Sequence, residues 1–495
     1  MIPMNLLGGW IMNICFLCDL HLPGCREAIQ YRMLEFVRKD IVKRQPDCIA
    51  FAGDATCDGD LSVYQQFISD MQALAIPFLY IPGNSDLRNP ACRDAIKKMG
   101  SPCENEFGRV RIYALNDCEG RISQEQYAVI DRADENSIVF LHHTLPTLPK
   151  ETREQMQAWM KKHPDTLLIS GHKHFYARYG NEIYLPAMDP DKCIGEEPCI
   201  VYYDTESKEM QHVHFPCPLP EDLKEYFGIS CYKMEQIDFA IREGIQYLEL
   251  RPSALEFDEM KLKERIAAWR KAGGKGLSIH LPDVGYQDGK AIAAEGYDEV
   301  LQLAQALDAD RLTQHVPRIS VAKAEEDDAA LDKIAACMAE KMNRLSGKIT
   351  IGIENMHMTA NDIPGKNRRF GYIPEECMAF ARLLGKKCRH PVGYNFDIGH
   401  ARNNAPYSQK YQIGTWMAML GKDIVGYHMH QVTDADGGFS NHMPIRRLYD
   451  RVMSLASFFA YWKKGWIAHV PVIFEMRPED AYEITLETFR NAITE

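Results

Sequence analysis

The stretch LLISGHKHFYAR, Leu167 to Arg178, runs from apolar residues through a glycine into two histidines one residue apart. The apolar run reads as a short buried strand, and a glycine after it lets the backbone turn sharply. Two imidazoles just past such a turn are either hydrogen-bonded loop residues or paired metal ligands. The rest of the chain has to decide between these readings.

The same arrangement repeats outward from this stretch. NICFLCDLH, CIAFAGD, PFLYIPGN, SIVFLHH, TLLISGH and EIYLPAMD each read as a short strand ending in a polar cluster. Segments 26–44 and 61–75 carry helical periodicity, so residues 13–215 form an α/β pattern. PCIVYYDTESKEMQHVHF closes the region as a hairpin with DTESKE as its turn. The strand-end clusters are Asp19-Leu-His21, Gly53-Asp54, Gly83-Asn84-Ser85-Asp86, His142-His143 and Gly171-His172-Lys-His174. In an open α/β sheet the carboxyl ends of strands gather at one crevice. Carboxylate, amide oxygen and imidazole together suit a pair of divalent ions of intermediate hardness, Mn, Fe or Zn. Asp54 can bridge two ions. The glycines ahead of Asp54, Asn84 and His172 let the backbone turn into the site.

With these clusters in this order, residues 13–215 resemble the calcineurin-like metallophosphoesterase family, an α/β sandwich. The resemblance implies a two-metal phosphoesterase. Asp19, His21, Asp54 and His174 would hold one ion; Asp54, Asn84, His142 and His172 would hold the other. Asp54 and Asn84 would then belong to the catalytic machinery. The family's Gly-Asn-His has Ser85 at its third position here. Serine is neither a cation nor a proton source near neutral pH. The leaving group then needs less help or another acid, for which His143 is the candidate.

After the proline-rich break PCPLPEDLKEY (216–226) a second alternation begins. Its apolar runs are YFGISCY, IQYLELRP, GLSIHLP, RLTQHVP, ITIGIEN, VGYNFDIGH, IVGYHMHQV and PVIFEMR. Eight strand–helix units over residues 227–495 fit a (β/α)8 TIM barrel, whose strand ends form the active-site mouth. Polar residues at those ends are His280, His315, Glu354, Asp397, His400, His428 and Glu475, with His442 in the loop after the seventh strand.

IHLP, QHVP, IEN, FDIGHA, HMH and FEMR resemble the xylose isomerase-like barrel superfamily, which includes sugar isomerases, epimerases and the endonuclease IV branch. The resemblance places a metal quartet on Glu354, Asp397, His428 and Glu475, with Glu354 and Glu475 moving protons. His280, His315, His400 and His442 match the extra histidines of the endonuclease IV branch, which holds three zinc ions. That branch has Asp-x-His where this chain has Ser440-Asn441-His442, and serine is a poor zinc ligand. One to three ions are therefore expected in the barrel. His430 reads as a substrate contact or as a residue supporting the ligands from behind. In the polar stretch 355–376, Lys366, Arg368 and Arg369 could meet a phosphate. KLKERIAAWRKAGGK reads as an exposed helix face.

The bulk numbers narrow the functions. The chain has 495 residues, too many for one ordinary core, and a formal net charge of −12, which disfavours a general nucleic-acid surface. Its 15 cysteines form no disulfide framework, and Cys15 and Cys18, three apart on a strand, read as core thiols on opposite faces. No signal peptide or membrane span is expected, so a cytoplasmic protein is the simplest reading. The expected partner is a small phosphorylated substrate rather than nucleic acid or a membrane, with a homo-oligomer left open. The favoured function is bifunctional: a phosphodiesterase or phosphatase fused to a sugar phosphate isomerase- or epimerase-like barrel. The alternatives are a nucleic-acid processing enzyme with an endonuclease IV-like barrel, or one domain acting only as a binder.

Overall fold

The computed structural model describes residues 12–359, 362, 367–435, 438–478 and 480–494. Lys366 lies outside the described residues. The chain forms two compact units. One comprises the chain to Pro218 together with Tyr449–Ser457; the other comprises Leu219–Leu448 and Phe458–Glu495. Tyr449–Ser457 falls in the half of the sequence read as barrel, yet its partners lie in the first unit. Tyr449 O accepts from the Gly195 amide at 3.0 Å, its hydroxyl donates to Cys217 O at 3.0 Å, and Ser454 Oγ meets Cys193 Sγ at 3.1 Å.

Among the described residues the first unit holds eleven strands: β1 (Asn13–Leu17), β2 (Cys48–Ala52), β3 (Phe78–Ile81), β4 (Glu104–Phe107), β5 (Val110–Ala114), β6 (Ser137–Leu141), β7 (Leu167–Ser170), β8 (Ala177–Tyr179), β9 (Glu182–Tyr184), β10 (Cys199–Asp204) and β11 (Met210–His214). They form two sheets, ordered β11-β10-β1-β2-β3 and β4-β5-β6-β7-β9-β8. Side chains alternate across each strand. Ile14, Phe16, Ala50 and Ala52 therefore meet Ile112, Phe140 and Ile169 between the sheets. Cys15, Leu17, Ile49 and Phe51 face the other way, onto helices Ile29–Arg44 and Leu61–Gln72. Tyr113, Val139 and Leu168 bury against Met156 and Trp159 of helix Lys150–Lys162. Sheets covered on both faces need apolar residues at every position, which is why these strands read as continuous apolar runs. Cys15 and Cys18 lie in opposite core layers.

In the second unit β12 (Phe227–Cys231), β13 (Tyr247–Leu250), β14 (Gly276–His280), β17 (Arg311–His315), β18 (Thr350–Glu354), β19 (Val392–Asp397), β20 (Ile424–Met429) and β23 (Val472–Phe474) close a parallel barrel, with β23 pairing back onto β12. Two hairpins interrupt the alternation: β15 (Val284–Gln287) with β16 (Lys290–Ala293), and β21 (Gln431–Ala435) with β22 (Gly438–Met443). His442 therefore stands on a hairpin strand rather than in an open loop. Helix Glu259–Lys271 buries Leu262, Ile266 and Trp269 and turns its charges outward. Arg368 is paired with Glu376, and Arg369 Nη2 lies 3.6 Å from Asp362, so both arginines brace their own segment. All fifteen cysteines are free thiols. No helix of the described residues is long and apolar enough to cross a membrane.

Candidate metal centres

The first centre forms where β1, β2, β3, β6 and β7 end. Asp19, His21, Asp54, His172 and His174 all have φ between 49° and 68°, the left-handed region that L residues avoid. Each costs about 1–3 kcal/mol, a strain that gathers at functional sites. Cross-links hold them there. The Asp19 amide donates to Gly53 O and the His21 amide to Asp54 O, both at 3.0 Å, and the His172 amide donates to Asp19 Oδ2 at 2.9 Å. Asp86, buried, accepts from the amides of Asp54, Ala55, Thr56 and Gly83 at 2.7–3.2 Å and so clamps the turns after β2 and β3 together.

The side chains converge on the Asp54 carboxylate. Its Oδ2 is 3.1 Å from His21 Nε2 and 3.4 Å from His142 Nε2, and its Oδ1 accepts from the Ser85 amide at 2.7 Å. On one side Asp19 Oδ1 lies 3.5 Å from His174 Nε2. On the other, Asn84 Oδ1 is 2.9 Å from His142 Nε2 and 2.8 Å from His172 Nδ1. His142 Nδ1 donates to Ala52 O at 2.8 Å, which leaves the Nε2 lone pair facing the site. Asn84 Oδ1, His142 Nε2 and His172 Nδ1 therefore cluster within 2.8–3.3 Å of one another, and Asp19 Oδ1 is buried without a hydrogen bond. Buried polar atoms are normally paired, so this orphaned set fits divalent cations. In their absence burial disfavours charge on His142, but Asp54, Asp19 and Asp117 push its pKa to about 10. Burial and the charges of His142 and His143 bring His172 down to about 3.

Of the glycines expected to shape these turns, Gly53 is left-handed, at φ +90°. Gly83 is needed for room, because a Cβ there would stand 2.2 Å from Asp54 Oδ1. A Cβ there would also stand 2.5 Å from the Asp54 backbone nitrogen, so Gly83→Ala is expected to displace the Asp54 turn, lowering both metal binding and thermal stability, measured by metal content and thermal melting.

Ser85 is buried, and its hydroxyl donates to Thr56 O at 2.6 Å, so it serves the turn and not the cleft. His143 stands beside His172 with ring centroids 4.7 Å apart. Its Nδ1 is 3.1 Å from Asp117 Oδ2, and Asp117 also accepts from the amides of His142 and His143. The sequence reading did not select Asp117, because the apolar run of β5 is broken by Arg111, which pairs with Asp134. Nor did it select Asp189, 3.3 Å from His21 Nδ1 and held by Gln30 at 2.8 Å, although Asp189 ends a recognised apolar run.

The barrel mouth gathers every strand-end residue named from the sequence. His428 Nδ1 is 3.1 Å from Glu354 Oε2, 2.8 Å from Glu475 Oε2 and 3.8 Å from Asp397 Oδ2. His280 Nε2 lies 3.4 Å from Glu354 Oε2 and His315 Nε2 lies 3.5 Å from Glu354 Oε1. His400, His430 and His442 form a third buried donor group, with His430 Nε2 3.2 Å from Asp397 Oδ1. His430, read as a substrate contact, thus stands among candidate ligands; the side chain of Ser440 is not described. Glu354 Oε1, Asp397 Oδ2, Glu475 Oε2 and both His428 ring nitrogens are buried without a hydrogen bond of normal geometry, the pattern seen in the first centre. Burial opposes charge on Glu354, yet His428 and His315 hold its carboxyl well below the usual range.

Three residues not picked out from the sequence complete this mouth. Glu249 Oε1 is 2.8 Å from His428 Nε2, while its other oxygen accepts from Ser278 at 2.9 Å and Thr313 at 2.6 Å. Arg251 Nη1 lies 2.9 Å from Glu475 Oε1, and the Tyr232 hydroxyl donates to the same oxygen at 3.0 Å. Glu475 is thereby held ionised with its second oxygen turned to the centre. Glu249 escaped notice because it sits inside the run IQYLELRP rather than at its end.

The chain is similar to known proteins over parts of its length. It is 32% identical over 84 residues to a probable cyclic nucleotide phosphodiesterase from Moraxella catarrhalis (strain BBH18), covering 17% of this chain and 30% of the relative. It is 26% identical over 155 residues to another from Xenorhabdus bovienii (strain SS-2004), covering 27% of this chain and 63% of the relative. Each match spans less than two thirds of the relative's length. A solved D-tagatose 3-epimerase-like protein is 18% identical, with 54% of this chain and 97% of that chain covered at a TM-score of 0.37. Residues 12–185 match the calcineurin-like phosphoesterase family, so the first unit carries a calcineurin-like phosphoesterase domain.

Proposed function

We propose that the first unit hydrolyses a small phosphodiester at a dinuclear centre, and that the barrel holds a second metal centre acting on a sugar-like, phosphorylated metabolite. The observation carrying the first part is the convergence of Asp19, His21, Asn84, His142, His172 and His174 around the shared Asp54 carboxylate. Divalent ions there would supply Lewis acidity to the phosphoryl group and to the attacking water. Asp19, His21, Asp54 and His174 would hold one ion, and Asp54, Asn84, His142 and His172 the other. Ser85, bound to Thr56 O, offers the phosphate no cation, which favours a singly charged diester over a dianionic monoester. The curated relatives' names agree with a diester.

His143 supplies the proton in this scheme. Asp117 holds Nδ1 and fixes the ring, so Nε2 can carry a proton to the leaving oxygen. The test is a series of aryl and alkyl phosphodiesters. His143→Gln is expected to cost about 100-fold or more on an alkyl leaving group and under about 5-fold on p-nitrophenolate. Equal losses on both would remove His143 as the acid, and no metal-dependent turnover of any diester by the wild type would remove the phosphodiesterase reading.

In the barrel Glu354, Asp397, His428 and Glu475 would hold an ion that polarises adjacent substrate oxygens. The two further donor groups, His280–His315–Glu354 and His400–His430–His442, favour a second reading in which the barrel cleaves phosphodiesters in nucleic acid with three ions. Metal content at these two centres separates the readings: about three ions per chain support the isomerase-like barrel and about five the trinuclear one, counted apart from any ion bound elsewhere in the chain. Cleavage of an abasic-site oligonucleotide would support the nucleic-acid reading.

A further inference from the structure

Four donor groups meet on the edge of the first unit's five-stranded sheet, formed by residues that neither centre uses. His212 and His214 lie on one face of β11, as strand residues two apart do. β11 pairs antiparallel with β10 and sets Cys199 opposite His214, and Glu196 lies three residues ahead of Cys199. Glu196 Oε2 is 3.1 Å from His212 Nδ1 and 2.8 Å from His214 Nε2, and Cys199 Sγ is 3.9 Å from His212 Nδ1. The donor atoms all fall within 4.8 Å of one another. Tyr176 packs edge-on against the His212 ring, with centroids 4.4 Å apart, and fixes its plane.

Bonds of about 2.0 Å to N or O and about 2.3 Å to S around a tetrahedral ion put ligand atoms roughly 3.3–3.5 Å apart. The separations of 2.8, 3.1 and 3.9 Å straddle that range and the remaining ones are at most 4.8 Å, so side-chain shifts of up to about one ångström would close the shell. One thiolate, two imidazoles and one carboxylate form a donor set that zinc favours. Cys199 is buried, while the side chains of Glu196 and His214 are 26% and 39% exposed, so an ion can enter from solvent without the sheet opening.

We propose that Glu196, Cys199, His212 and His214 bind a structural zinc ion that clips edge strand β11 to the segment leading into β10. Four protein ligands leave no open position, so the site is structural and not catalytic. The thiolate makes it separable from the carboxylate–imidazole centres around Asp54 and Glu354. In the full-length protein loaded with cobalt, a thiolate-to-cobalt charge-transfer band is expected in the near ultraviolet. It should persist in Asp54→Asn and Glu354→Gln and vanish in Cys199→Ser. Zinc-edge absorption of the wild type should contain a sulfur shell at about 2.3 Å amounting to one sulfur per chain, averaged over all bound zinc. Absence of the band or of that sulfur in the wild type, or a band surviving Cys199→Ser, overturns the proposal. Because Cys199 is buried and its substitution could disturb folding, His214→Gln on the exposed edge gives a second readout. It should lower zinc content by one equivalent per chain with the fold retained, and unchanged content counts against the site.

Discussion

Asp54→Asn is expected to lower phosphodiester turnover by at least about 1,000-fold, equivalent to about 4 kcal/mol of transition-state stabilisation. The substitution keeps the shape of the side chain and changes its charge. Asp54 accepts from the Ser85 amide at Oδ1 and lies between His21 and His142 at Oδ2. Asparagine can keep one of these relations but must aim an N–H group at the other. It also removes the negative charge around which four imidazoles are arranged. Metal analysis should show the first centre depleted with the barrel's content unchanged, and thermal melting should stay near the wild type. Turnover within about 10-fold of wild type would move hydrolysis out of the first unit.

Glu354→Gln is expected to weaken metal binding at the barrel mouth by at least about 100-fold while diester turnover by the first unit changes less than two-fold. Glu354 is the residue through which the donor groups join. Its Oε2 faces His428 and His280, and its Oε1 faces His315 and His400 at 3.4–3.5 Å. Glutamine offers one carbonyl oxygen and turns an N–H group toward the other pair. Isothermal titration with zinc, run beside the diester assay, measures both effects on one sample. Retention of every barrel ion with wild-type affinity would show that Glu354 is no ligand.

All eight barrel strands were legible because parallel strands covered on both faces must be apolar throughout, and each run ends where the backbone reaches the mouth. The same rule located β1, β2, β3, β6, β7 and β9. It missed β4 and β8, which are partly exposed, and β5, whose Arg111 interrupts the run. The strand-end rule also named most of the polar residues that the structure brings together. It passed over Glu249 and Arg251 because a charge within or beside a barrel strand looks like a solvent-facing residue until closure buries it. Asp117 was invisible because its strand was. The donors on β10 and β11 were read only as a hairpin, since a zinc cluster built across two antiparallel strands has no characteristic one-dimensional spacing.

The membership of Tyr449–Ser457 in the first unit bears on how the protein is made. Met453, Ser454, Leu455 and Ala456 are buried, and they are supplied long after Pro218 has been translated. Chains leave the ribosome at roughly 5–20 residues per second, and N-terminal domains ordinarily complete their folding first. Here the surface that receives those side chains stays open until Ser457 has emerged. A gene fragment ending at the proline-rich break would therefore encode an unfinished body, and shuffling the two halves as interchangeable cassettes would carry the missing segment away with the second half.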